Sequence, residues 1–359
     1  MAAIWLRPLI APPAPAKPAT AGPGPVLVMG AGSIGGWLGG RLQAAGARVH
    51  LVGRPRMLAA LTAQGLTLTD RDGGRLHLPA AKLQLHAAVP GDLAATGAPL
   101  LVLLCVKSGA TAVAATELAC RLPAGTLVLS MQNGIGNAAI AQAAAPRLTV
   151  LPGMVPFNVA EVGAGQLHRG TDGQLAAQDH PALRPWLPLL AAAGLPLALH
   201  ADLAAVQWGK LLLTLNNAVN ALSGLPLRAQ LLDRDLRCCT AALIAETLAL
   251  LRRAGIAPAA MSPLPPAWLP AVLRLPTPLF RVAAARMLKI DSQARSSMAD
   301  DLALGRPTEV EAINGEVLRL AARCGAQAPC NARIAALVQG WPRQPQPMTG
   351  PALRHTLGL

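Results

Sequence analysis

The feature that most constrains this chain is an apolar run that leads directly into a glycine-rich turn. Residues Val26–Met29 are all apolar, and the sequence GAGSIG follows at positions 30–35. A segment of helical composition then covers Ile34–Ala45, and a second apolar run covers Val49–Val52. Strand, glycine turn, helix and strand in this order form the context in which a G-x-G-x-x-G sequence binds the pyrophosphate of a dinucleotide.

Each glycine of this turn has its own physical role. Gly30 permits the tight turn, Gly32 lets the backbone approach a pyrophosphate, and Gly35 lets the helix pack closely on the sheet. Backbone N–H groups at the start of the helix would then face the phosphate. The predicted cofactor contacts are Gly30, Ala31, Gly32, Ser33, Ile34 and Gly35. The alternative is a glycine-rich turn with a purely structural role.

The end of the second strand indicates which dinucleotide is bound. An NAD site usually places Asp or Glu about 20 residues after the glycines to bind the ribose 2′-hydroxyl. Here the strand ends in Gly53-Arg54-Pro55-Arg56, which contains no acid. Because Arg54 can pair with a 2′-phosphate, we expect NADP (NADPH) rather than NAD. The alternative is that Arg54 is an ordinary surface arginine.

Composition argues against several other classes of protein. The net charge of +14 would suit nucleic acid, but the basic residues are scattered and only 2% of residues are aromatic, so few side chains can stack on bases. We therefore expect no nucleic-acid partner. No apolar run free of charges and breakers reaches about 18 residues, so we expect no membrane span.

The cysteines point to a reducing compartment. They show no C-x-x-C pattern and have no nearby histidines, so we expect reduced thiols, a cytoplasmic protein and no metal site. They are Cys105, Cys120, Cys238, Cys239, Cys324 and Cys330.

At 359 residues the chain exceeds the usual size of one core, so we expect two domains. A Pro/Ala-rich extension at 1–24 is expected to be disordered, and strand and helix signals alternate over 25–200. These include a hairpin at Leu66–Leu78, a strand at Leu100–Val106 that ends at Lys107, and a strand at Leu127–Ser130. Helical patterns alone follow over 201–340, among them helices at about 203–222 and 229–254, and the proline-rich residues 341–359 are expected to form a flexible tail.

The lysines single out one residue. The chain has only five lysines, so a bare positive charge is usually supplied by arginine. Ammonium can lose its proton when burial lowers its pKa, whereas guanidinium does not. Lys210 lies on a predicted helix with Thr214 and Asn217 four and seven positions further on, hence on the same face. We interpret Lys210 as a general acid; the alternative is a lysine at a helix end that extends to water.

A second polar cluster follows near the end of the chain. It contains the sequence SSMADD, which includes Ser297, and the sequence TEVE, which includes Glu309. A break at Gly305 and Pro307 would let both side chains turn toward one cleft. The alternative is that the serines and Thr308 only cap helices.

The order of these short motifs resembles that of the ketopantoate reductase (2-dehydropantoate 2-reductase) family. The motifs are GAGSIGG, Gly53-Arg54, VKS, QNGIGN, WGKLLL, NNAVNALSG, SSMADD and TEVEAINGEV, which span roughly residues 25–335. The resemblance implies an α/β N-terminal Rossmann-like dinucleotide-binding domain and an all-α C-terminal domain, with the active site between them. It also implies that NADPH reduces 2-dehydropantoate to (R)-pantoate, in the synthesis of pantothenate and coenzyme A.

The resemblance also implies roles for individual residues. Lys210 matches the catalytic lysine that protonates the developing alkoxide, and Glu309 matches a glutamate near the nicotinamide and the substrate. Asn133 matches an asparagine that contacts cofactor and substrate, and Ser297 matches the substrate-binding serine. Further cofactor contacts are implied for Arg54, Lys107 and Ala160.

One position departs from the family pattern. The family usually carries asparagine four residues after the catalytic lysine, and here that residue is Thr214. Asn217 and Asn220 are candidates to compensate, so we count all three as expected substrate ligands. Reduction of a related 2-keto acid is therefore one alternative. A second, from a different class of protein, is a non-catalytic module that senses NADP. We expect a small 2-keto acid as the partner, and a monomer or a homodimer.

Overall fold

A computed structural model describes residues 22–93, 97–285, 288, 294–343 and 345–359. Of the extension expected at 1–24, residues 1–21 lie outside these ranges. In the described residues, no helix is both long and apolar enough to cross a membrane.

The strands, in chain order, are β1 (Val26–Met29), β2 (Val49–Val52), β3 (Leu66–Asp70), β4 (Arg75–Leu78), β5 (Gln84–His86), β6 (Leu101–Leu104), β7 (Leu127–Ser130), β8 (Thr149–Met154), β9 (Val159–Gly163), β10 (Gln166–Arg169), β11 (Leu175–Gln178) and β12 (Leu197–His200).

The α-helices are α1 (Ser33–Ala44), α2 (Pro55–Gln64), α3 (Thr111–Arg121), α4 (Asn137–Ala144), α5 (Leu187–Ala192), α6 (Leu203–Thr214), α7 (Asn216–Ser223), α8 (Leu227–Leu232), α9 (Arg234–Arg253), α10 (Leu269–Arg274), α11 (Thr277–Ala283), α12 (Ser297–Ala303), α13 (Val310–Arg323), α14 (Pro329–Gly340) and α15 (Gly350–Leu357). Short 3-10 turns cover Ala80–Lys82, Ser108–Ala110, Pro181–Trp186, Pro266–Trp268 and Trp341–Arg343.

The N-terminal half is built on an eight-stranded sheet in the order β12-β11-β8-β7-β6-β1-β2-β5. The six strands from β8 to β5 are parallel, whereas β11 runs antiparallel to β8. Counted along the chain, these six strands have the 3-2-1-4-5-6 order of a Rossmann sheet. The predicted α/β fold class is confirmed.

Chain order reverses between β1 and β6, and ligands of such sheets bind beyond the carboxyl ends of the strands at this point. Alternate residues of β1 point to opposite cores, Val26 and Val28 to one and Leu27 and Met29 to the other. The second sheet has the order β4-β3-β10-β9 and packs on the far side of α1. Its β3–β4 hairpin is the one predicted at Leu66–Leu78.

The described residues after 200 form helices around a separate apolar core. The twenty-residue α9 lies at its centre and packs against α10, α13, α14 and α15. A helix predicted at 229–254 is divided, because the Asp233 side chain accepts bonds from the backbone N–H groups of Asp235 and Leu236 and so starts a new helix. The predicted helix at 203–222 is likewise divided, at Leu215.

The C-terminal segment differs from the flexible tail that the sequence suggests. Residues Gly350–Leu357 form a helix, α15, whose start is capped by the Thr349 side chain. Leu353 and Leu357 are fully buried in the helical core. Burial of these two side chains outweighs the prolines and glycines of the segment, which suggested a loose tail.

Candidate active site

The glycine turn after β1 has the geometry of a phosphate cradle. Gly30 has φ +110°, and a Cβ at this residue would lie 2.7 Å from the backbone nitrogen of Val106 on the neighbouring strand end. A Cβ on Gly35 would lie 2.1 Å from the Gly30 carbonyl oxygen, which shows how closely α1 crosses the turn. At Gly32, by contrast, no atom lies within 4 Å of that position. The turn therefore leaves open space at the start of α1.

Backbone groups of the same turn face that space. Gly32 is the residue before α1, and Ser33 and Ile34 are the first two residues of the helix. The N–H groups of Ser33 and Ile34 have no partner within the helix and lie at its positive end, whereas the N–H of Gly32 donates to the Gly30 carbonyl at 2.8 Å. Ala31 is buried, and its N–H donates to the carbonyl of Val52 at 2.8 Å, which ties the turn to β2. These residues fit the pyrophosphate of a dinucleotide.

Two arginines follow β2, and they differ in their surroundings. Arg54 is exposed and immediately precedes α2. Arg56 donates two bonds to Glu161, at 2.7 and 2.6 Å, and this arginine holds the pKa of the Glu161 carboxyl below its ordinary value. Ala160 is exposed on β9, next to Glu161. The described residues form no ion pair with Arg54, whereas Arg56 is neutralised.

Lys210 lies on α6 and reaches the N-terminal half of the protein. Its ammonium donates to Oδ1 of Asn133 at 2.7 Å and to the carbonyl oxygen of Val155. Burial lowers the pKa of Lys210 from its ordinary 10.5 to about 8, and the negative charge of Glu309 acts in the opposite direction. A lysine with a pKa near neutrality can release its proton to a substrate.

Glu309 comes into the same cluster from the start of α13. Its Oε2 accepts from the Asn133 amide at 3.0 Å, and its Oε1 accepts from the Ser108 hydroxyl at 3.3 Å. The predicted break before it is confirmed, because α12 ends at Ala303 and Gly305 has φ +60°. Asn133 therefore bridges Lys210 and Glu309.

Gly134 lets the two halves of the protein approach each other at this point. It has φ +89°, and a Cβ there would lie 2.6 Å from the carbonyl oxygen of Ala312 on α13.

Lys107 makes a second contact across the two halves. Its ammonium pairs with the carboxylate of Asp301, a buried residue of α12. Burial raises the pKa of Asp301, and the hydrogen bond from Lys107 opposes that effect. The sequence suggested a cofactor contact for Lys107 but gave no sign of this partner.

The expected substrate ligands differ in where they lie. Ser297 is exposed as the first residue of α12, and the buried Ser296 caps that helix. Thr214 lines a small recess beside Lys210, and its hydroxyl donates to the Leu211 carbonyl at 2.9 Å. Asn217 is half-buried, and its carbonyl accepts from the Ser296 hydroxyl at 3.3 Å.

Asn220 does not face the cleft, in contrast to the expectation. It is fully buried, its amide nitrogen donates to the Leu225 carbonyl at 2.9 Å, and its Oδ1 accepts from the Ser296 backbone at 2.9 Å. Both ends of the amide are therefore used, the oxygen to join α7 to the start of α12 and the nitrogen to fix the turn after α7. Asn220 therefore supports the structure and is not available to a substrate.

Two family models match the chain. The model of ketopantoate reductase PanE/ApbA matches residues 26–182, and the model of the C-terminal part of the same family matches residues 202–341.

Individual relatives agree with this result. A 2-dehydropantoate 2-reductase of Halobacterium salinarum is 28% identical over 316 residues, which are 82% of this chain and 91% of the relative. The crystal structure of a PanE/ApbA family ketopantoate reductase from Ralstonia eutropha JMP134 is 28% identical with a TM-score of 0.72, and the match covers 88% of this chain and 97% of that one. The structure of a D-mandelate dehydrogenase shares the fold at 18% identity, with a TM-score of 0.70 and coverage of 93% and 99%. The resemblance inferred from the motifs is thereby confirmed, and the chain belongs to the ketopantoate reductase PanE/ApbA family of oxidoreductases.

Proposed function

We propose that this protein reduces 2-dehydropantoate to (R)-pantoate with NADPH, and that Lys210 donates the proton. The observation that carries the proposal is the environment of Lys210, whose ammonium is held between Asn133 and the Val155 carbonyl at the junction of the two domains. Relatives named 2-dehydropantoate 2-reductase support the choice of substrate. We further propose that the protein acts in the cytoplasm, as a monomer or a homodimer.

Bound NADPH supplies the hydride to the keto carbon of the substrate. Lys210 supplies the proton to the carbonyl oxygen, where negative charge develops as the ketone is reduced. Two of its three N–H donors are used by Asn133 and Val155, and the third is available to the substrate oxygen. Fixed acceptors of this kind hold the ammonium in place before the reaction begins.

The substrate carboxylate and hydroxyl require polar side chains near this ammonium. We assign Ser297, Thr214 and Asn217 to this role, since they lie on α12, α6 and α7. Glu309 completes the site from α13 and is proposed to contact the nicotinamide side of the cofactor. Asn133, in the loop after β7, is proposed to contact both the cofactor and the substrate.

Arg54 is proposed to bind the 2′-phosphate of the cofactor, with Lys107 and Ala160 as further contacts. Its guanidinium follows the carboxyl end of β2, where the ribose of a dinucleotide lies in this fold. Arg54→Ala should therefore raise KM for NADPH far more than KM for NADH. An equal rise in KM for the two cofactors would show that Arg54 does not bind the 2′-phosphate.

The proposal is tested by steady-state kinetics with NADPH and 2-dehydropantoate on the purified protein. Lys210→Ala should lose at least about 100-fold in kcat, as expected when a general acid is removed, and should keep its affinity for NADPH in a binding assay. Near-normal turnover by this variant would refute the role of Lys210. A non-catalytic sensor predicts no turnover by the wild type while NADPH still binds.

A second substrate is favoured by one observation. The Thr214 hydroxyl donates its hydrogen to the Leu211 carbonyl, so toward the recess it offers only an acceptor, where the family's asparagine amide can also donate. A related 2-keto acid with an apolar group at this position, which needs no donor from the protein, would suit the recess. A panel of 2-keto acids, compared by kcat/KM, decides between the two substrates.

A further inference from the structure

Two polar residues outside the expected site, Ser108 and Asn137, form hydrogen bonds with residues of that site. Asn137, the first residue of α4, is buried, and its amide nitrogen has two acceptors. It donates to the Asn133 carbonyl at 2.6 Å and to the Ser108 hydroxyl oxygen at 3.1 Å. Its Oδ1 lies 3.1 Å from the Thr111 hydroxyl, which is also buried. These contacts fix which end of the Asn137 amide faces the active site.

The orientation of Asn137 determines the orientation of Ser108. Because the amide donates to the Ser108 oxygen, the serine hydrogen must point to a different acceptor. Two are in reach, Oε1 of Glu309 at 3.3 Å and the Asn133 carbonyl at 3.4 Å. That carbonyl already accepts from Asn137, and a carboxylate is the stronger acceptor. The serine hydroxyl therefore donates to Glu309.

The orientation of Glu309 in turn determines which end of the Asn133 amide faces Lys210. With Oε1 held by Ser108, the other oxygen of Glu309 accepts from the Asn133 amide nitrogen at 3.0 Å. An asparagine that donates to Glu309 must present its oxygen on the opposite side, and there Lys210 donates to it at 2.7 Å. A reversed Asn133 amide would place two donors against each other.

We propose that Ser108 and Asn137 are positioning residues of the active site, which hold Glu309 so that Asn133 presents its oxygen to the Lys210 ammonium. This inference rests on the proposed role of Lys210 as proton donor. Neither residue is expected to contact the reacting atoms. Their effect passes through Glu309 and Asn133, which do belong to the proposed site.

The expected effect concerns the proton affinity of Lys210. Among the charged groups of the described residues, Glu309 is the one whose charge acts on Lys210. The carboxylate of Asp301 also lies near Glu309, and the positive charges of Lys107 and Arg306 offset its negative charge. When Ser108 is lost, Glu309 can turn away, the Asn133 amide is no longer fixed, and the ammonium loses an acceptor. The protonated lysine is then less stable, so its pKa falls.

The test compares Ser108→Ala with Ser108→Thr. In the alanine variant we expect kcat to fall about tenfold, as for other misplaced catalytic groups, and the alkaline limb of the kcat profile to move to lower pH. KM for NADPH should change less than kcat. Ser108→Thr keeps the hydroxyl and should restore both kcat and the pH profile.

Two further variants complete the comparison. Thr126→Val removes a half-buried hydroxyl that bonds to the Pro123 carbonyl before β7, at the opposite end of the sheet, and should leave the pH profile unchanged. Asn137→Ala removes the donor to the Ser108 oxygen without adding a charge, so the serine hydrogen is no longer directed to Glu309 and a smaller shift in the same direction should appear. A wild-type kcat and pH profile in Ser108→Ala, or an equal effect of Thr126→Val, would overturn the proposal.

A measurement without substrate separates this inference from the proposed reaction. The chain has five lysines, so the Lys210 signal of 15N-lysine-labelled protein can be assigned by its loss in Lys210→Arg. Its titration in Ser108→Ala should move to lower pH than in the wild type, whichever keto acid is reduced. An unchanged Lys210 titration refutes the positioning role, whereas absent turnover with a shifted titration refutes only the reaction.

Discussion

Lys210 should make the folded protein less stable than it would be with an apolar side chain at this position. Its pKa is lowered from 10.5 to about 8 by burial, so the folded state disfavours the charged form relative to the unfolded chain. Below pH 8 the lysine is charged in both states, and the folded protein bears the full cost. Between pH 8 and 10.5 the cost declines, and above 10.5 it disappears because the amine is neutral in both states. Lys210→Met should therefore stabilise the protein at pH 7.

The magnitude follows from the pKa and the hydrogen bonds. A fall from 10.5 to about 8 corresponds to about 3 kcal/mol of unfolding free energy. Methionine cannot donate to Asn133 or to the Val155 carbonyl, and leaving these acceptors unpaired costs about 1–2 kcal/mol. We expect a net gain of about 1–2 kcal/mol at pH 7. In a protein of this size that gain should raise Tm by about 1–3 °C.

The assay is thermal unfolding of both proteins at pH 7 and at pH 10.5, with the difference in Tm as the readout. At pH 10.5 the neutral amine of the wild type still donates its hydrogen bonds, so the variant should be no more stable than the wild type. Lys82→Met is the control, because Lys82 is exposed and its loss should change Tm little at either pH. A variant less stable than the wild type at pH 7, or a difference independent of pH, would refute the reasoning.

Three other outcomes are expected. With Lys210 as the proposed proton donor, log kcat/KM should be level below about pH 7 and fall with a slope near one above pH 8; a level profile to pH 10 would contradict this. Asp301→Asn leaves the Lys107 ammonium without its carboxylate, so KM for NADPH, the ligand proposed for Lys107, should rise about fivefold, for an ion pair worth about 1 kcal/mol, and the neighbouring exposed Asp300→Asn is the control in the same kinetic assay. Arg237 is fully buried and donates to three backbone carbonyls, so Arg237→Met should lower the free energy of unfolding by about 2–4 kcal/mol in urea; unchanged stability would show that those carbonyls find other donors.

The sequence predicted those parts of the fold whose signals are local. The glycine turn and its flanking strands, the β3–β4 hairpin and the strand β7 follow from contiguous residues, and the structure has them at these positions. Strands β5, β9 and β11 were not predicted, because they have only three to five residues and are defined by pairing with distant partners. The division of the long helices was missed for a different reason, since Asp233 can start a helix or lie within one.

The candidate site was predictable only in part. Lys210, Asn133 and Glu309 were selected from scarcity and motif order, and the structure brings all three together. The partner of Lys107 could not be inferred, because Asp301 lies 194 residues away in the chain. Asn137 was visible in the QNGIGN motif and Ser108 in VKS, but no rule of spacing connects either residue with Glu309.

The position of α1 between two sheets has a consequence for motion during catalysis. This helix packs on β1 and β2 on one side and on β3, β9 and β10 on the other, so we expect the surface at its N-terminus, where the cofactor is proposed to bind, to move little. We therefore expect any movement that opens the cleft to shift the helical half, with the short link between β12 and α6 as the candidate hinge. Small-angle scattering with and without NADPH would detect a change in the position of the helical half.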